Sequence, residues 1–170
     1  MLRPTYTRRP FHILISIKDL KLIGPPASGK RSLAKELLKS RHVFYSMNIA
    51  ESLPKRNLDR IDYILIFVDM TNTNSLVLMN QLLENISPKY LATKVIIVVT
   101  KVDLTASWAF EYSELDSIVH LFHDLQIFRV NLTNDLQRKL TCEQITRLIK
   151  ISTLQYENLN SYILKTLDDS

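Results

Sequence analysis

The sequence predicts an α/β fold, a mostly parallel sheet with helices on both faces. Three observations predict it. Short apolar, β-branched runs alternate along the chain with segments whose apolar residues recur at helical spacing. A loop of the form Gly24-x-x-x-x-Gly29-Lys30 joins an early apolar run to the first helical segment. The chain also holds only two glycines, both in that loop, where an average chain of this length holds about a dozen. Alternating elements imply right-handed crossovers. Ligands in such folds sit beyond the carboxyl ends of the strands, which is where Gly24, Asp69 and Lys101 fall.

The elements follow in order. Residues 1–10 carry Arg3, Arg8 and Arg9 with two prolines and read as a basic arm. Phe11–Ile17 suits a strand, Lys18-Asp19 breaks it, and Leu20–Ile23 resumes as a second short strand. After the glycine loop, Leu33, Leu37 and Leu38 mark a helix that ends near Ser40. Val43–Ile49 is a weaker strand, and Ile61–Val68 is a strong one that ends in Asp69. Asn72 to Asn74 offer helix caps, and Leu76, Met79, Leu83 and Ile86 then line one face up to Pro88. Tyr90 and Leu91 fall in the next connection. Lys94–Val99 reads as a strand buried on both faces. Ser113-x-x-Asp116 looks like a capping box for a helix with Leu115, Ile118, Phe122 and Leu125. Ile127–Val130 is a last short strand. Thr141-x-x-Gln144 then caps a helix through Ile145, Leu148 and Ile149 towards Tyr156, Leu159 and Ile163.

The chain has 170 residues, 46% hydrophobic and 23% charged, which suits one globular domain over residues 11–170 behind the arm. No apolar run is long enough to span a bilayer, and Phe11–Ile17 is too short for a secretory signal. A single cysteine, Cys142, excludes an internal disulfide and a cysteine-based zinc site. It fits a reducing compartment. The net charge of +5 permits an acidic partner surface or DNA without requiring either. The arm's arginines are either solvated charges or DNA contacts. His120 and His123, beside Asp124, read as a surface pair, because no third metal ligand is visible.

Gly24 to Lys30 sits where a phosphate-binding loop belongs. Glycines let backbone N–H groups wrap a phosphate, and the lysine reaches the β- and γ-phosphates. The residue after the lysine should carry a hydroxyl for Mg²⁺. Here it is Arg31, with Ser32 one residue later and about 100° further round the helix. Thr100-Lys101-Val102-Asp103 follows the buried strand and resembles the base-recognition motif of small Ras-like GTPases, in which the aspartate binds guanine and the lysine stacks on it. Asp69 is placed like a Walker-B aspartate. Each motif has a plain alternative: a loop that only caps a helix, a turn after a strand, an aspartate that caps the Asn72 turn.

A GTPase switch also needs an Asp-x-x-Gly and a switch threonine. No glycine follows residue 29, and no threonine lies between Thr7 and Thr71. Ser40 to Ile61 is too short for two strands, two switch loops and a helix. Asn131-Leu132-Thr133 replaces the usual Ser-Ala-Lys. The predicted architecture is therefore a three-layer P-loop fold like that of small GTPases, with shortened switch regions.

A spaced set of segments resembles the centromere protein M family: Leu2-Arg-Pro4, Leu22-Ile-Gly24, Ala50-Glu-Ser-Leu-Pro54, Arg60 through Val68, Ser75-Leu76, Leu91-Ala-Thr-Lys-Val95 and Arg147 through Ile151. The resemblance implies a non-catalytic inner-kinetochore subunit with a Ras-like fold, located at the centromere in the nucleus. It implies assembly with centromere proteins H, I and K, docking mainly on the helical-repeat protein I, and no cofactor. Lys18–Leu20 looks like an insertion relative to that family. Gly29-Lys30 and Thr100–Asp103 look more GTPase-like than the family pattern, which leaves residual GTP or GDP binding open. Tyr90, Leu91, Leu159 and Ile163 are the candidate partner contacts. The alternatives are an atypical small GTPase and a P-loop ATPase or nucleotide kinase.

Overall fold

The structure is a computed structural model that describes residues 15–41, 43–53, 58–122 and 125–156. Five strands, β1 (Ile15–Ile23), β2 (Val43–Ala50), β3 (Tyr63–Asp69), β4 (Val95–Thr100) and β5 (Gln126–Val130), form one sheet in the order β2-β1-β3-β4-β5. Every neighbouring pair is parallel. Parallel strands need helical crossovers. These are α1 (Lys30–Leu37), α2 (Thr73–Asn85), α3 (Pro88–Lys94) and α4 (Tyr112–Val119), and α5 (Asp135–Tyr156) follows the last strand.

The helices cover both faces. Leu33 and Leu37 of α1 and Ile145 and Ile149 of α5 pack on Leu20, Leu22, Leu65, Phe67, Ile96 and Val98. Leu76, Met79 and Leu83 of α2, Leu91 of α3 and Leu115 of α4 pack on Ile64, Ile66, Val68, Ile97 and Val99. Alternate residues of β3 and β4 thus feed opposite cores, which is why both strands are apolar throughout. Each fully buried Leu or Ile contributes roughly 1.5–3 kcal/mol. The chain leaves β1 towards β2 on one side and later returns to β3 on the other. The loops after β1 and β3 therefore meet at the point where the strand order reverses.

The expected break at Lys18-Asp19 is a bulge inside one strand. Ile17 pairs with Tyr45 and Leu20 with Met47, so β1 carries one extra residue. The N–H groups of Lys18 and Asp19 donate to Asp62 Oδ2 at 2.7 and 3.1 Å. The extra residue brings Ile17 and Leu20 into the same core, which the two-residue period of a regular strand forbids.

Three further expectations change. Residues 88–94 are helix, not connection, with Pro88 in the first turn, where its missing N–H costs nothing. The cap of α4 is Glu111 with Glu114, not Ser113 with Asp116, and the helix ends at Val119, before Phe122 and Leu125. Finally, α5 begins six residues before Thr141, with Asn134 Oδ1 accepting from the N–H of Gln137 at 3.0 Å. Its start is hidden in the sequence because Leu136 and Leu140 face solvent, so the first turns show no inward apolar stripe.

Candidate functional site

The glycine loop lies at the carboxyl end of β1, pressed against β3. A Cβ on Gly24 would stand 2.7 Å from Phe67 Cβ and 2.8 Å from Phe67 O. Gly29 has φ 88°, a left-handed conformation, and a Cβ there would collide with Leu132 Cδ1. Both glycines therefore stay where a side chain cannot go. Ser28 is buried beneath the loop, and its hydroxyl has no hydrogen-bond partner among the described residues.

Lys30 does not reach outward. It is 7% exposed, and its Nζ donates to the carbonyls of Gly24 at 2.5 Å and Pro25 at 2.6 Å. Burial pulls its pKa below the ordinary lysine value, against the raising effect of Glu51. The lysine thus ties its own loop shut. Arg31 and Ser32 are exposed at the start of α1.

Asp69 ends β3 beside Thr100 of β4. It is 2% exposed. Its Oδ1 accepts from Thr71 N at 2.9 Å and Thr71 Oγ1 at 2.7 Å. Its Oδ2 pairs with Lys101 Nζ at 2.6 Å. Both carboxylate oxygens are engaged, and an ammonium stands where a Walker-B aspartate would face a metal. Lys101 adopts φ 57°, and its carbonyl accepts from Leu104 N and Trp108 Nε1. The lysine ammonium is turned onto Asp69. Asp103 itself is exposed, and the short turn of helix at Thr105–Ser107 has no side-chain cap. The structure thus joins Lys101 to Asp69, whereas the sequence pattern joined it to Asp103. Asn72 caps α2, its Oδ1 accepting from Asn74 N at 3.0 Å.

Leu132 follows β5 and is 9% exposed, packed against the glycine loop. Thr71 and Leu132 complete this site, and the sequence showed neither the bonds of Thr71 to Asp69 nor the packing of Leu132 on the loop. The sequence placed Leu132 only within Asn131-Leu132-Thr133, at the middle position of the usual Ser-Ala-Lys. As arranged, Lys30, Asp69 and Lys101 are paired within the protein.

Of the candidate contacts, Tyr90 and Leu91 lie at the opposite end of the sheet. Tyr90 is half-buried, with Lys89 Nζ 4.4 Å and Lys94 Nζ 5.1 Å from its ring centre. It lines an open groove of about 740 Å³ with Ser16, Lys18, Tyr63 and Thr153. Leu91 is 6% exposed and sits in the core. As an exposed anchor it is corrected, because the helical turn of α3 rotates it inward and leaves Tyr90 at the surface. Leu159, Ile163, His123, Asp124 and the arm at 1–10 lie outside the described residues. His120 is exposed. Among the described residues no group of three or more His, Cys, Asp or Glu side chains could hold a metal. No helix there is long and apolar enough to cross a membrane.

No curated protein matches the chain. The sequence profile of a family described as Centromere protein M (CENP-M) does match, over residues 15–170. With nearly the whole length aligned, the chain belongs to the centromere protein M family.

Proposed function

We propose that this protein is a non-catalytic pseudo-GTPase, an adaptor that takes part in inner-kinetochore assembly through protein contacts. One observation carries the reading. The three charged groups that a GTPase would turn on phosphate, metal and base are satisfied inside the protein: Lys30 on the carbonyls of Gly24 and Pro25, and Asp69 on Lys101. The sequence adds that no glycine beyond residue 29 exists to sense a γ-phosphate. Without two states biased by that phosphate there is no switch. Family membership supports a centromere role. On this reading the chain joins centromere proteins H, I and K in the nucleus, docking on the helical-repeat protein I, with Tyr90, Leu159 and Ile163 as contacts.

The experiment uses purified protein with magnesium and GDP, GTP or ATP. The expected result is no release of phosphate and no rise in melting temperature at saturating nucleotide. Magnesium-dependent hydrolysis overturns the proposal. Stabilisation by GTP that is lost in Lys30→Ala and Asp103→Ala makes the protein an atypical GTPase, and preference for adenine makes it a P-loop ATPase or nucleotide kinase. Affinity purification from dividing cells tests the assembly; centromere proteins H, I and K are the expected companions.

A further inference from the structure

We propose that Ser87 is a phosphorylation site for a proline-directed protein kinase. The chain has six prolines, and only Pro88 follows a serine or threonine. Ser87 joins α2 to α3. Its side chain is exposed and makes no capping hydrogen bond. The carbonyl of Ser87, not its hydroxyl, accepts from the N–H groups of Tyr90 and Leu91 at 2.9 and 3.3 Å. The nucleophile is therefore free of internal bonds.

At the two residues between α2 and α3 the backbone is already extended, the shape in which a kinase groove receives a substrate. Ile86 has φ −95° and ψ 129°, and Ser87 has φ −58° and ψ 139°. Proline then holds φ near −65° and has no N–H. A kinase pocket that offers no acceptor there takes proline freely and penalises any residue whose amide it leaves unpaired. Beyond it, α3 has seven residues and buries only Leu91, so this segment opens locally at low cost.

The reaction balances with ATP as phosphoryl donor. Ser87 Oγ attacks the γ-phosphorus, a new O–P bond forms, and the bond from that phosphorus to the bridging oxygen of ADP breaks. The hydroxyl proton passes to the kinase's base, and ADP leaves.

The consequence is electrostatic. Lys89 Nζ stands 3.7 Å from Asp59 Oδ1 and 4.4 Å from the Tyr90 ring centre. Lys94 Nζ donates to the carbonyls of Asp59 and Ile61. A phosphate of about −1.5 to −2 charge at pH 7 two residues before Lys89 competes with Asp59 for that ammonium. The net positive charge of the lysines lining the groove beside Tyr90 is then largely neutralised.

The test uses the full chain, ATP and a purified proline-directed kinase, read by intact mass and peptide mapping. One phosphate is expected on the peptide that contains Ser87, and none on that peptide in Ser87→Ala. Pro88→Ala should lower the initial rate at least about tenfold, the order of penalty set by one unpaired amide. Melting curves of both variants show that they are folded. A bare Ser87 in the wild type, or an unchanged rate in Pro88→Ala, overturns the proposal. As a second readout, the Tyr90 ring resonances should move on phosphorylation, and the movement should be lost in Lys89→Ala; no movement overturns the electrostatic coupling. None of these outcomes depends on the adaptor reading.

Discussion

Replacing Lys101 by methionine keeps most of the side-chain length and removes the charge. In the native protein Lys101 Nζ stands 2.6 Å from Asp69 Oδ2, with side-chain exposures of 33% and 3%. Removing one partner from a fully buried pair costs about 3–5 kcal/mol, and an exposed pair is worth about 0–1 kcal/mol. This pair lies between those limits. Water reaches only the lysine end, and Thr71 keeps two hydrogen bonds on Oδ1. A loss of about 2 kcal/mol is expected. At about 2–4 °C per kcal/mol for a chain of this size, the melting temperature should fall by about 4–8 °C. The assay is thermal and urea unfolding of Lys101→Met, Asp69→Asn and the double variant. An amide at position 69 does not need a cation, so the double variant should recover about 1–2 kcal/mol relative to additivity. A Lys101→Met protein that melts within about 1 °C of wild type, or strictly additive losses, would refute the reasoning.

Other outcomes follow from the same geometry. Gly24→Ala sets a methyl group against the backbone of the central strand at 2.7–2.8 Å and should cost about 3 kcal/mol, visible as a melting point lower by about 6–12 °C. Ser28→Ala removes a buried hydroxyl without a partner among the described residues, so urea unfolding should show a change between neutral and about 1 kcal/mol more stable. Asp62→Ala takes the acceptor from two N–H groups of the bulge and should cost about 1–3 kcal/mol, with faster hydrogen exchange at Lys18 and Asp19. Burial raises the Cys142 thiol to about 12 and the Tyr45 phenol to about 12. Above pH ~9 the unfolded chain releases the thiol proton while the folded chain keeps it, so stability is intact below that pH and falls as pH rises towards 12. Urea midpoints at several alkaline pH values should show the fall, and Cys142→Ala should reduce it, leaving the part that Tyr45 contributes.

The strands and crossovers were legible because β-branched runs and helical spacing are local signals. β3, β4 and α2 lie within two residues of their expected bounds. Elements whose stabilising contacts are not apolar were harder to read. The first turns of α5 expose Leu136 and Leu140, and α3 has one buried residue, so neither shows a hydrophobic stripe. Lys18-Asp19 looked like a break, because the carboxylate that bonds its two N–H groups is Asp62, more than forty residues away. At the candidate site, Gly24, Gly29, Lys30, Asp69 and Lys101 were all found by motif, yet the pairing of Lys30 with Gly24 and of Asp69 with Lys101 was not.

By itself the sequence determined the α/β alternation, the placing of both glycines between a strand and a helix, and the loss of any later glycine. Each follows from residue type and order alone. Only the tertiary structure decided where the charges go. A lysine can reach several acceptors: the fold of the glycine loop turns Lys30 back onto Gly24 and Pro25, and the pairing of β3 with β4 brings Asp69 to Lys101. In a buried crevice an ammonium or carboxylate must find such a partner. For Asp69 that partner follows a strand adjacent in the sheet but distant in the chain.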